Sequence, residues 1–106
     1  MVNVIATIRA KSGKEKETEH LLRGLLKPTH AESGCQKYAL HRRKEDPTYF
    51  YFVESWISAD DLKTHLASSH IAKVMVRSAE LLASIDIAQV ELIQEDGSEK
   101  GILWNF

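Results

Sequence analysis

The sequence predicts an α+β domain whose strands and helices follow the order β-α-β-β-α-β. Three observations lead there. Four stretches of strand length are apolar or alternate apolar with polar residues. Two intervening regions place their apolar residues at helical spacing instead. Short polar or glycine-bearing turns separate these elements. The chain has 106 residues, the size of one domain, and residues 1–106 are read as a single unit. A chain of this length buries roughly two-thirds of its unfolded surface, enough for a core without disulfides or metals.

Taken in order, Val2 to Ala10 reads as the first strand, with Val4, Ala6 and Ile8 on one face and Asn3, Ile5 and Thr7 on the other. Ser12-Gly13 turns the chain. A helix follows from Lys14, with Thr18, Leu21, Leu22, Leu25 and Leu26 along one stripe. Pro28 is expected to bend or end it, and Gly34 to stop it in a left-handed conformation. Cys35 to Arg43 and Thr48 to Trp56 form two strands joined by the polar loop Lys44-Glu45-Asp46-Pro47. Ser58-Ala59-Asp60-Asp61 is close to a capping box and opens a short helix bearing Leu62 and Leu66. Ser68 and Ser69 recap a second helix with Ile71, Val74, Met75, Ala79 and Leu82 as its stripe. Ile85 to Ile93 is the last strand. Residues 95–106 are a C-terminal tail, polar at first and ending in Ile102-Leu103-Trp104-Asn105-Phe106.

That order is the ferredoxin-like arrangement, four antiparallel strands with helices on one face. The third strand departs from the alternation such a sheet should show. Tyr49, Tyr51 and Val53 share one face, and Phe50, Phe52 and Trp56 the other. Helices cover one face only, so a second copy of the chain is expected over the Phe50–Phe52–Trp56 side. The result would be a homodimer, a dimeric α/β barrel, with the apolar tail packed on the partner subunit.

Composition excludes several functions. A net charge of -1 with dispersed basic residues does not suit nucleic acid, which needs a clustered basic surface. No apolar run reaches the roughly 20 residues of a membrane span. Cys35 is the lone cysteine, so no internal disulfide forms and a cytoplasmic location is expected. No phosphate loop or dinucleotide fingerprint occurs. The histidines (His20, His30, His41, His65, His70) show no paired metal-ligand spacing, so no metal is assigned.

Three segments carry a family resemblance. They are Ala31-Glu32-Ser33-Gly34-Cys35-Gln36-Lys37-Tyr38-Ala39-Leu40, Asp46-Pro47 with Phe50 to Trp56, and Leu62 with His65-Leu66-Ala67 and Ser69-His70. As a set, over about residues 2 to 94, they resemble the antibiotic-biosynthesis-type monooxygenases, in particular the small quinol-monooxygenase-like members. The resemblance implies a dimeric ferredoxin-like fold. It also implies oxygenation of a quinol, phenol or polyketide ring by dioxygen without flavin, haem or metal. In haem-degrading relatives the iron-ligating histidine would fall near Met75, a different ligand, and haem is set aside.

Such chemistry needs a general base that makes the phenolate and a dry pocket that holds it against oxygen. His65 and His70 are the candidate bases, because imidazole is largely neutral near pH 7. A half-buried structural histidine is the plainer reading of either. Trp56 is a candidate wall for a planar ring, while Phe50 and Phe52, on the same face, read first as core. Glu54 shares that face and should be paired or have its pKa raised. Tyr38 is a candidate hydrogen-bond donor. His41 lies on the opposite strand face and joins the same pocket only through a bulge. Asn3 is a weaker candidate for polarising a carbonyl, and Cys35 reads as a small buried residue. Two alternatives remain. One is a non-catalytic aromatic-ligand-binding dimer. The other is an isomerase or lyase of a small metabolite, for which Arg9 and Arg42 are the nearest cations.

Overall fold

The alternation along the first strand decides how the molecule is layered. In a computed structural model that describes residues 1–93 and 97–101, β1 (Val2–Ala10) buries Val4, Ala6, Ile8 and Ala10 on one face. The other strands are β2 (Cys35–Arg42), β3 (Tyr49–Trp56) and β4 (Leu82–Val90). They form one antiparallel sheet in the order β2-β3-β1-β4. Register places Glu54 beside Val4, Phe52 beside Ala6 and Phe50 beside Ile8, so the buried residues of β1 and β3 form one continuous floor.

The helices α1 (Glu15–Arg23), α2 (Leu26–His30), α3 (Ala59–Leu66) and α4 (Ser69–Leu81) lie on that floor. Thr18, Leu22 and Leu25 of the predicted stripe are buried against it. This is the predicted ferredoxin-like α+β arrangement. Its consequence for β3 differs from the sequence expectation. Phe50, Phe52 and Trp56, expected beneath a partner subunit, are 1%, 2% and 0% exposed within one chain. Their own helices cover them. The face without helices carries Ile5, Ala39, Tyr51, Val53 and Ala88, all half-buried.

Other boundaries shift for identifiable reasons. The first helical stretch breaks at Gly24 and Leu25, ahead of Pro28, where Leu25 N–H donates to Leu22 O at 3.0 Å. Pro28 then sits in the first turn of α2, where its missing N–H leaves no hydrogen bond unmade. Gly34 does not adopt the expected left-handed conformation; the positive-φ glycines among the described residues are Gly13 and Gly97. It is needed for close approach, since a Cβ there would lie 2.2 Å from Asp61 Cγ. β4 begins at Leu82, directly after α4, because Leu81 and Leu82 are both buried at the helix–sheet junction. It ends at Val90, which pairs with Asn3 where β1 runs out. Ser58 and Ser68 cap α3 and α4 as expected, accepting from Asp61 N–H and Ile71 N–H. The apolar tail from 102 to 106 lies outside the described residues.

Candidate functional site

A narrow apolar cavity separates the sheet from the helices. Phe52 and Glu54 of β3 and Tyr38 of β2 form part of its floor, with Ala6 and Ile8 of β1. Leu22, Leu25, His65, Ile71 and Val74 close it from the helix side, and Leu66, Met75, Ile85 and Ile87 form its rim. Its free volume is about 60 Å³, below the roughly 300 Å³ of a typical ligand pocket. An aromatic ring would fit there only with the rim displaced. Met75 and Ile87 are 50% and 49% exposed, and the unbranched Met75 side chain moves at little cost.

Tyr38 and Glu54 are cross-strand neighbours, and both side chains line the floor. The Tyr38 ring stacks on Phe52 at 4.4 Å between centroids and meets His65 edge-on at 5.3 Å. Burial and the nearby Glu54 charge raise the phenol pKa well above its ordinary value, so Tyr38 stays a neutral donor. Burial likewise pushes Glu54 up to about 7 against the opposing hydrogen bond from Trp56 Nε1 at 3.0 Å. Glu54 is thus a carboxyl poised to hold or release a proton near neutrality.

His65 is 2% exposed and stands on the last turn of α3, its ring 4.5 Å from Trp56. Its Nδ1 lies 2.7 Å from Glu32 Oε2. Burial lowers its pKa against the pull of Glu32, so the ring is neutral at pH 7. With Nδ1–H donated to the carboxylate, Nε2 carries the lone pair. His70, in the first turn of α4, approaches the same oxygen through Nε2 at 2.9 Å. It does not line the apolar cavity. It faces an outer cleft with Leu21, Pro28 and Lys73.

The structure therefore divides the predicted site residues. His65, Tyr38, Phe52 and Glu54 meet at the cavity. Trp56 backs His65 and Phe50 fills the core, neither lining the cavity. His41 is exposed on the other sheet face, with Nδ1 3.1 Å from Ala39 O. Asn3 is on that face as well, accepting from Ser55 Oγ at 2.8 Å. Cys35 is half-buried with its thiol pushed up to about 11 by burial, which makes it a poor nucleophile. Glu32 is the residue that sequence reasoning missed. It sits in the α2–β2 corner, far along the chain from either histidine, and spacing rules see only local pairs. Its position within a recognisable segment was the available signal.

Residues 1–77 match the family model for antibiotic biosynthesis monooxygenases. A protein of Pseudomonas aeruginosa has a similar structure at 34% identity, with a TM-score of 0.82, over 84% of this chain and 90% of that one. The crystal structure of an antibiotic biosynthesis monooxygenase is 26% identical, TM-score 0.81, over 89% of this chain and 100% of that one. A protein of Deinococcus radiodurans shares the fold at 23% identity and a TM-score of 0.80, over 90% and 95% of the two chains. No curated protein matches the chain.

Proposed function

Since this chain belongs to the antibiotic biosynthesis monooxygenase family, we propose that it is a cofactor-independent monooxygenase acting on a quinol-like or polycyclic phenolic substrate. The observation that carries the reading is His65. It is a buried, neutral imidazole that lines an apolar cavity and has its tautomer held by Glu32. His65 Nε2 takes the phenolic proton, and the resulting anion reduces dioxygen. For a naphthoquinol, one oxygen atom enters the ring and the other leaves as water, the ring supplying all four electrons. Tyr38 donates a hydrogen bond to the developing carbonyl, Phe52 offers a ring face, and Glu54 exchanges a proton with the intermediate. The apolar walls keep water from the anion.

The reading is of a cytoplasmic homodimer joined through the helix-free sheet face, where Ile5, Ala39, Tyr51 and Val53 would otherwise stay half-wet. This replaces the aromatic face as the expected seam.

The test is oxygen uptake by metal-free protein with a reduced naphthoquinol. Wild type should exceed the uncatalysed rate, His65→Ala should lose on the order of 100-fold, and His70→Ala roughly tenfold. Uptake at the background rate across quinols and phenols, with saturable binding of the same compounds, would make the protein an aromatic-ligand-binding dimer instead.

A further inference from the structure

Glu32, His65 and His70 come from three separate segments, the α2–β2 corner, the end of α3 and the start of α4. Their ligand atoms nevertheless converge. Glu32 Oε2 is 2.7 Å from His65 Nδ1 and 2.9 Å from His70 Nε2, and all three atoms lie within 4.8 Å of one another. Neighbouring ligands on an ion with bonds of about 2.0–2.2 Å stand roughly 3 Å apart, so a small outward shift of the three side chains admits one.

We propose that Glu32, His65 and His70 form a binding site for a divalent late first-row transition-metal ion, of the Zn²⁺ class. Two imidazoles and one carboxylate are the donor set that such ions take while keeping further positions for water. The ion has a way in. Glu32 and His70 side chains retain 16% and 18% exposure, and His70 borders a solvent-open cleft of about 300 Å³. The donors are held from behind. Ser68 Oγ donates to His65 O at 2.7 Å while capping α4, and Asp61, packed on Gly34, ties the Glu32 corner to α3. Such outer contacts orient metal ligands. The site lies beyond the oxygenase reading and competes with it for one ring. An ion on His65 Nδ1 leaves the proton on Nε2, so the metal-bound form has no base there.

The experiment uses the full chain, stripped with chelator and titrated with Co²⁺, whose visible absorption reports coordination, followed by displacement with Zn²⁺. The expected result is one Co²⁺ per chain, displaced stoichiometrically by Zn²⁺. Glu32→Gln and His70→Ala should each raise the dissociation constant at least about tenfold, with the far-ultraviolet circular dichroism of wild type. His20→Ala, at an exposed position on α1, should bind as wild type does. Absence of Co²⁺ bands at sub-millimolar ion would overturn the site, as would equal binding by Glu32→Gln. Should His70→Ala unfold, Glu32→Gln alone decides. Binding is read without turnover, so a protein inert toward quinols still tests it.

Discussion

Above pH 7 Glu54 carries a charge at a site only 4% exposed, where burial has lifted its pKa from 4.5 to about 7. Below 4.5 the carboxyl is protonated in folded and unfolded chains alike and contributes no pH dependence. Between 4.5 and 7 the unfolded chain releases the proton while the folded one keeps it, so stability falls as pH rises. Above 7 the full penalty applies, on the order of 3 kcal/mol. Glu54→Gln keeps an oxygen for Trp56 Nε1. It should therefore gain up to that amount over wild type at pH 8 and lose the gain by pH 4.5, as read from urea midpoints. A pH-independent difference would place the Glu54 pKa near its ordinary value. In the proposed reaction Glu32 acts through another residue, since it holds His65 and is absent from the cavity lining. Glu32→Gln should lower kcat roughly 10- to 100-fold with little change in KM.

The elements that assemble the site meet where β2 begins. Ile57 N–H donates to Gly34 O at 2.9 Å, and Asp61 of α3 packs on Gly34 without room for a Cβ. His65 follows Asp61 by four residues, one helical turn along the same face. One contact thus fixes the distance between Glu32 and His65. Gly34→Ala forces α3 away and should cost about 1–3 kcal/mol, with a matching loss of quinol-dependent uptake. Gly97 has open space around a would-be Cβ, so Gly97→Ala tests backbone strain alone and should cost about 1 kcal/mol or less. Equal stability of Gly34→Ala and wild type in thermal unfolding would dissociate Gly34 from the site.

At the scale of the whole molecule the two faces of the sheet behave differently. Phe52→Ala empties the core beneath the helices and should cost about 3–5 kcal/mol. Val53 is the next residue on the strand but points to the helix-free face, between Ile5 and Ala39. Val53→Lys should leave the fold intact while converting the proposed dimer to a monomer in sedimentation at micromolar protein. Arg9 and Arg43 stand 5.0 and 3.8 Å from the Tyr49 ring on that face, and Arg43 Nε donates to Tyr51 Oη at 2.8 Å. This cationic margin would limit what can dock there. A wild-type monomer would remove the dimer proposal and leave the cavity standing, because one chain builds it.

By itself the sequence determined the order of strands and helices, the serine caps and the two sets of side chains on β3, because periodicity and capping are local properties of consecutive residues. It determined also that His65 belongs near an apolar stripe. Which set of β3 side chains the helices cover was decided only by tertiary structure, since alternation defines two faces without saying which is inside. The same holds for Glu32, brought to two histidines by packing between the α2–β2 corner and the α3–α4 region. It holds for Gly34 too, whose need for a missing Cβ arises from Asp61, a residue 27 positions away. Contacts across that separation follow from how the layers pack, and no local pattern in the chain encodes them.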